Sequence, residues 1–282
     1  MEAPRIRIGN QTSCQVPSRV PYEFALRHGF DAFEWFSDRG RFGWCEADMD
    51  AGERRGLRGD AARHGVLFSV HAPFASNPVG RAGAAAIRRS IDFAGDVAAG
   101  IVNVHLFADQ GARAYADALG PLLEAARAAD LCLSLENTPQ TSPDDFNAVF
   151  GVLSAMPEAE GRVGMCLDMG HANLHQSTRH DYLRFVDRLG EHVPIVHWHA
   201  HENWGDRDSH LTLFTGPSAH DDRGLRGLVL RLLRRGFCCS VVLEQWPQPP
   251  GLLVESRDRL RLLWGSVIVQ EGRGVGSEGP AD

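Results

Sequence analysis

The feature that most restricts how this chain can fold is a repeated alternation of short apolar β-type runs with longer helix-type segments. The runs fall at 5–9, 30–35, 66–71, 101–106, 131–136, 163–168, 193–199 and 238–244. Helical periodicity lies between them, near 18–28, 50–64, 82–98, 112–129, 143–155, 179–189, 224–235 and 255–264. Eight strand–helix units of roughly 30 residues each are what a (β/α)8 barrel requires. An open, doubly wound sheet is the rival arrangement. The barrel is preferred because the count is eight and because polar residues recur where the strands end. The expected fold is a single (β/α)8 TIM barrel over 1–264, then a glycine-rich flexible tail over 265–282, with no second domain.

Local signals agree with this division. Ser142-Pro143-Asp144-Asp145 places a cap, a proline and two acids at the start of a helix. Gly29, Gly65, Gly100 and Gly236 each stand between a helix pattern and the next strand, the usual place of a C-terminal cap.

Charged and imidazole side chains then mark the strand ends: Glu34, His71, His105, Glu136, Asp168 with His171, His199 with Asp208 and His210, and Glu244. The densest sector is 197–210, where four histidines, two aspartates and one glutamate fall within fourteen positions. In a barrel the C-terminal strand ends share one face, so residues about 30 apart in sequence become neighbours. Carboxylates brought that close repel and raise one another's pKa unless a cation offsets the charge. A His/Asp/Glu set without thiolate suits Zn²⁺, Mn²⁺, Fe²⁺ or Co²⁺, with Zn or Mn favoured. Nine candidate ligands (His71, His105, Glu136, Asp168, His171, His199, Asp208, His210 and Glu244) exceed the needs of one ion, so one to three divalent ions are expected. His197 and His201 share strand parity with His199, and either replaces it if the register shifts by two.

Composition excludes several alternatives. The net charge is −7 and all 29 basic residues are arginine. Without lysine there is no lysine Schiff base, no pyridoxal-phosphate catalysis through lysine and no P-loop. The acidic balance disfavours duplex DNA, whose binding rests on phosphate neutralisation. Six cysteines lack CxxC spacing; Cys132, Cys166 and Cys238 lie in apolar runs and are read as buried reduced thiols. The first residues, MEAPRIRIGNQ, contain no apolar signal region, and no apolar run approaches the length of a membrane span. The sequence is accordingly read as cytoplasmic, with no membrane partner; its oligomeric state is left open.

Set in order, several motifs resemble a known family. They are Ser69-Val70-His71-Ala72-Pro73-Phe74, Val104-His105, Leu135-Glu136-Asn137-Thr138, Cys166-Leu167-Asp168-Met169-Gly170-His171-Ala172, His199-Ala200-His201-Glu202-Asn203 with Asp208-Ser209-His210, and Leu243-Glu244. Over residues 5–264 the chain resembles the xylose-isomerase-like TIM barrels. These include sugar-phosphate isomerases and epimerases and the endonuclease IV type of apurinic endonuclease (AP endonuclease family 2). The isomerase resemblance implies one ion on Glu136, Asp168, His199 and Glu244, with Glu136 and Glu244 as the acid/base pair. The endonuclease resemblance implies a three-ion cluster that adds His71, His105, His171, Asp208 and His210.

All nine positions hold the residue type the larger set requires, so the leading expectation is hydrolysis of a phosphoester at a multinuclear site, with Glu136 and Glu244 catalytic. Sugar or sugar-phosphate isomerisation or epimerisation is the alternative, and an inert ligand-binding barrel the third. The loop after the seventh strand reads His-Glu-Asn where the endonuclease type has Asn-Asp, and no clustered basic insertion is present. A small phosphorylated or sugar-like molecule is therefore the expected substrate. Candidate substrate residues are Glu34, Asn137, His201, Glu202, Asn203, Trp204, Arg207 and Trp246. Arg207 offers a bidentate fork and the two tryptophans a stacking face. Their bland readings are a Glu34 salt bridge with Arg39 or Arg41 and simple rim packing of the rings.

Overall fold

A computed structural model describes residues 6–39 and 43–274, with side chains through residue 271. Eight parallel strands close in sequence order, and the eighth pairs back onto the first. They are β1 (Arg7–Gln11), β2 (Ala32–Phe36), β3 (Leu67–His71), β4 (Ile101–His105), β5 (Cys132–Glu136), β6 (Val163–Asp168), β7 (Ile195–Ala200) and β8 (Ser240–Leu243). Around them run α1 (Arg19–Arg27), α2 (Ala51–His64), α3 (Arg81–Val97), α4 (Ala112–Ala128), α5 (Pro143–Leu153), α6 (Met169–Leu174), α7 (Tyr182–Asp187), α8 (Arg223–Arg234) and α9 (Gly251–Gly274). The expected single TIM barrel is the observed architecture.

Strand periodicity decides which side chains see which layer. Phe33 and Trp35 point outward and pack edge-on against Tyr22 of α1 and Phe93 of α3. Glu34, between them, points into the barrel, where its carboxylate accepts a 2.8 Å hydrogen bond from Ser69 Oγ of β3. Barrels of this kind usually fill their interior with branched apolar side chains. Here Glu34, Ser69, Asn103, Ser134, Cys166, His197, His199 and Ser240 are all buried within it, so a polar layer lies beneath the C-terminal rim.

The structure moves several sequence-based boundaries. Residues after Asp168, where the sequence pattern gave no helix, form α6, because the Asp168 side chain accepts from the His171 backbone N–H and caps the turn. The segment near 179–189 is helical only over Tyr182–Asp187. Helix α9 continues beyond 264 to Gly274, replacing the first part of the expected tail. Leu260, Leu263, Trp264 and Val267 are its buried stripe at i, i+3, i+4 and i+7, and that stripe carries the helix past Gly265. Tail residues 275–282 lie outside the described residues. Gly65 caps α2 in the left-handed conformation at φ 66°, as expected. After α3 that conformation falls on Ala98, at φ 58°, and not on Gly100. Cys238, read as buried, is exposed because β8 begins only at Ser240; Cys166 is buried and Cys132 half-buried. Among the described residues, no helix is long and apolar enough to cross a membrane.

Candidate metal centre

The C-terminal ends of β3 to β8 bring the candidate ligands onto one rim. His71 ends β3, His105 ends β4, Glu136 ends β5 and Asp168 ends β6. His171 follows on the first turn of α6, Asp208 and His210 come from the loop after β7, and Glu244 directly follows β8. Among the described residues, five groups of three or four donors have ligand atoms within 4.8 Å of one another. They include His171, His201, Asp208 and His210; Asp168, His201 and Glu244; Glu136, Asp168 and His171; and His71, Glu136, His199 and Glu244.

Four imidazoles share one orientation. The Nδ1 of His71 lies 2.6 Å from the Ala72 carbonyl, that of His105 3.0 Å from Phe74, that of His171 2.8 Å from Asn137 and that of His210 2.9 Å from Glu244. A carbonyl only accepts, so Nδ1 must carry the donated hydrogen and Nε2 turns inward, with a lone pair for a metal once the ring is neutral. The inward atoms meet carboxylates. His71 Nε2 is 3.0 Å and His105 Nε2 3.6 Å from Glu136, while His171 Nε2 and His210 Nε2 are 3.2 and 3.1 Å from Asp208 Oδ2.

His201, which the sequence offered as a replacement for His199, also reaches this shell. Its Nε2 is 3.0 Å from Asp168 Oδ2 and 3.6 Å from Glu244 Oε2. Its ring also stacks on His210, with centroids 3.9 Å apart. Gly170 makes room for it: a Cβ there would lie 2.0 Å from His201 Cε1. His199 sits one strand step deeper, its Nε2 3.0 Å from Glu34 and its Nδ1 3.4 Å from both Glu136 and Glu244.

Opposed charges set the ionisation of these groups. Burial alone would raise Glu34 and Glu136, but positive imidazoles, His199 foremost, hold both carboxyls well below the usual range. Glu244 and Asp208 are likewise lowered against burial, by His199 and by His171 respectively with His210. Burial opposes the protonated forms of His171, His199 and His210, yet neighbouring carboxylates raise His171 and His210, the latter to about 10, and Cys166 with Glu34, Glu136 and Glu244 raises His199. Protonated imidazoles thus balance the carboxylates here, and a divalent cation fits the same role. Among the described residues, Glu136 Oε1, His201 Nδ1 and Glu244 Oε2 are buried without a hydrogen-bond partner, which is costly unless a ligand satisfies them.

The candidate substrate residues divide. Asn137 clamps Asp168 through both backbone groups, donating to its carbonyl at 2.8 Å and accepting from its N–H at 2.9 Å. Glu202 is spent inside the fold, accepting from the N–H groups of Phe214, Gly216 and Ser218. Asn203 is spent likewise on Gly170, Asn173 and Gly205. Both nonetheless line the smaller cavity behind His201. Glu34 pairs with His197 and His199, while Arg39 pairs with Asp48 instead; residue 41 lies outside the described residues. Trp246 packs edge-on against Phe24, and Arg207 is exposed.

Two cavities adjoin the centre. One, of about 660 Å³, opens beside His105 and His171 and is walled by Phe74, Leu106, Phe107, Pro139, Thr138, Gln140, Thr141 and Asp109. The other, about 330 Å³, lies behind His201 and is lined by the exposed Trp204 with Asn173, His180, Asp181 and Tyr182. Arg207, expected as a phosphate clamp, lines neither.

Comparison with known proteins agrees with this architecture. No curated protein matches the sequence. A D-tagatose 3-epimerase-like protein superposes with a TM-score of 0.75 at 20% identity, covering 94% of this chain and 99% of that one. A Thermus thermophilus protein soaked with ZnCl2 gives 0.65 at 20% identity, covering 93% and 99%. A D-psicose 3-epimerase crystallised in the presence of D-fructose gives 0.62 at 11%, covering 94% and 97%. At these identities the likeness is one of fold. The family described as xylose isomerase-like TIM barrel matches residues 22–263, and this chain belongs to it.

Proposed function

We propose that this protein is a divalent-metal enzyme that isomerises or epimerises a small, sugar-like substrate, with Glu136 and Glu244 as its acid/base pair. The carrying observation is the closeness of these two carboxylates to each other; of the groups around them, His105 and His171 reach the larger cavity. Their candidate ligand atoms lie within 4.8 Å of one another, and Glu136 Oε1 and Glu244 Oε2 each lack a hydrogen-bond partner among the described residues. The adjoining walls are aromatic, amide and hydroxyl, with Asp109 the one charged side chain besides His105 and His171. Such a surface suits a neutral ring with a C–H face and hydroxyls better than a phosphate. Enzymes with epimerase names among the solved relatives support the same reading.

Glu136, Asp168, Glu244 and His201 would hold one ion, with His201 in the place the sequence favoured for His199. Bound there, the ion would polarise the substrate's carbonyl and hydroxyl oxygens. Glu136 keeps Oε2 engaged with the Asn103 amide and His71, leaving Oε1 to take or return a proton. Glu244 offers Oε2 for the complementary transfer. The aromatic wall of Phe74 and Phe107 would cover one face of the substrate and limit the approach of water.

Phosphoester hydrolysis, the leading expectation from sequence, stands as the second reading because one observation favours it. His71 and His105 on one side, and His171, Asp208 and His210 on the other, extend the donor set beyond one ion's needs. One experiment separates the readings. Metal-loaded protein incubated with a ketose and aldose panel in D2O should place deuterium on the carbon next to the carbonyl. Glu136→Gln and Glu244→Gln should each slow that exchange by roughly 10²- to 10⁴-fold. Cleavage of a phosphodiester, lost on His71→Ala, without any C–H exchange would replace the isomerase reading by the hydrolytic one.

A further inference from the structure

Beneath the rim lies a buried unit that neither reading uses. Glu34 Oε2 accepts from Ser69 Oγ at 2.8 Å and lies 3.0 Å from His197 Nε2, whose Nδ1 is 2.9 Å from Ser240 Oγ. The other oxygen, Oε1, is 3.0 Å from His199 Nε2. Glu34, His197 and His199 are wholly buried. Placing a carboxylate and two imidazoles inside a barrel carries a desolvation cost of several kcal/mol per ion, offset only where partners surround the charge. Such a layer in place of branched apolar side chains calls for a role.

His199 differs from the rim imidazoles in how its ring is held. His71, His105, His171 and His210 each donate Nδ1–H to a backbone carbonyl and turn Nε2 inward. His199 has no such carbonyl. Its Nε2 faces Glu34, and its Nδ1 stands 3.4 Å from Glu136 Oε2 and 3.4 Å from Glu244 Oε2. It is therefore equidistant from the two carboxylates that would carry the chemistry, and it ties them to a fixed anchor below.

We propose that Glu34 and His199 form a positioning dyad that sets the spacing of Glu136 and Glu244, with His199 acting through those carboxylates and not as a metal ligand. Two carboxylates this close repel, and a ring nitrogen held between them opposes their separation. Ser69 and His197 fix Glu34 by hydrogen bonds, whereas Glu34 Oε1 meets His199 Nε2 as a 3.0 Å charge contact and not as a hydrogen bond. The proposal rests on the rim binding metal, as in the reading above, but not on which reaction follows.

The test uses the full chain stripped with a chelator and titrated with Zn²⁺ against a chromophoric competitor, with ions per chain counted by elemental analysis. Glu34→Gln and His199→Gln should each bind the wild-type number of ions with affinity roughly 10- to 100-fold weaker, the range seen when a group supporting a ligand is removed. The double variant should be no weaker than the worse single one, because the two act as a unit. Ser69→Ala, which keeps both members, should give a smaller loss in the same direction and guards against misfolding of the charged-pair variants. Unchanged melting of the metal-free variants would separate positioning from general destabilisation. Unchanged affinity in both single variants overturns the proposal. So does a His199→Gln protein that loses one ion per chain while Glu34→Gln binds normally, since His199 would then be a ligand. Failure of C–H exchange with these affinity losses intact would overturn the isomerase reading alone.

Discussion

At the scale of single residues, the site depends as much on what is missing from a side chain as on what is present. Gly170 is required because the His201 imidazole occupies the space of any Cβ there, at 2.0 Å. Gly170→Ala should displace His201 from Asp168 and Glu244 and weaken Zn²⁺ binding by roughly 10-fold or more. Isothermal titration checks this, and unaltered affinity would show that His201 is not needed for the ion. Asn137 acts on the backbone: its side chain makes two hydrogen bonds to Asp168, which Asn137→Ala removes. Buried groups left unpaired should cost about 1–3 kcal/mol each, read as a lower denaturation midpoint. Glu136, Asp168 and Glu244 were legible as candidates because each falls at the end of an apolar run in the sequence. That the His201 ring, and not that of His199, lies beside the Asp168 carboxylate was not, since residues two apart share a strand face and only the depth of the barrel separates them.

At the scale of elements, two departures from the sequence pattern are open to measurement. Helix α3 ends with Ala98 in the left-handed region, at φ 58°, on an exposed position. Ala98→Gly relieves that conformation without losing burial and should stabilise by about 1 kcal/mol, raising Tm by roughly 2–4 °C. The last helix was legible up to 264 and then lost, because Gly265 and the following glycines read as a tail. Val267 is nonetheless buried, at 4% exposure. Ending the chain after Trp264 should therefore cost about 1.5–3 kcal/mol from that side chain alone, measurable by chemical denaturation. Helix α6 escaped notice for a different reason. A six-residue helix has too few turns to show a period, and its start is set by Asp168, which reads more readily as a ligand than as a cap.

At the scale of the whole molecule, the rim is a charge-balanced ring whose balance changes with pH and with metal. His210, raised to about 10 from an ordinary 6.5, adds stability fully present below pH 6.5 and lost as pH rises through about 10. Glu136, Glu244 and Asp208 are lowered, so their contribution is present above their ordinary values of 3.8 to 4.5 and lost only as pH falls well below them. The metal-free protein should accordingly be most stable between about pH 4.5 and 6.5 and weaken towards pH 10, as melting across that range will show. Zn²⁺ must displace the imidazole protons, so its affinity should rise with pH and binding should release protons detectable in weak buffer. Free ion at about 100 times Kd should add about 2.7 kcal/mol to stability.

The sequence by itself determined the barrel, because apolar runs of strand length alternating eight times with amphipathic segments leave few other ways to bury the chain. It also determined that a ring of carboxylates and imidazoles would crowd one face, because strand ends converge wherever a sheet closes. Only the tertiary structure decided how that ring divides. The closed sheet staggers its strands, so His199 falls one step below His201, next to Glu34, from a strand 163 residues distant from His197. Backbone carbonyls from neighbouring loops turn four imidazoles inward, and loop hydrogen bonds consume Glu202 and Asn203. Those outcomes rest on distances between segments remote in sequence, which no local pattern encodes.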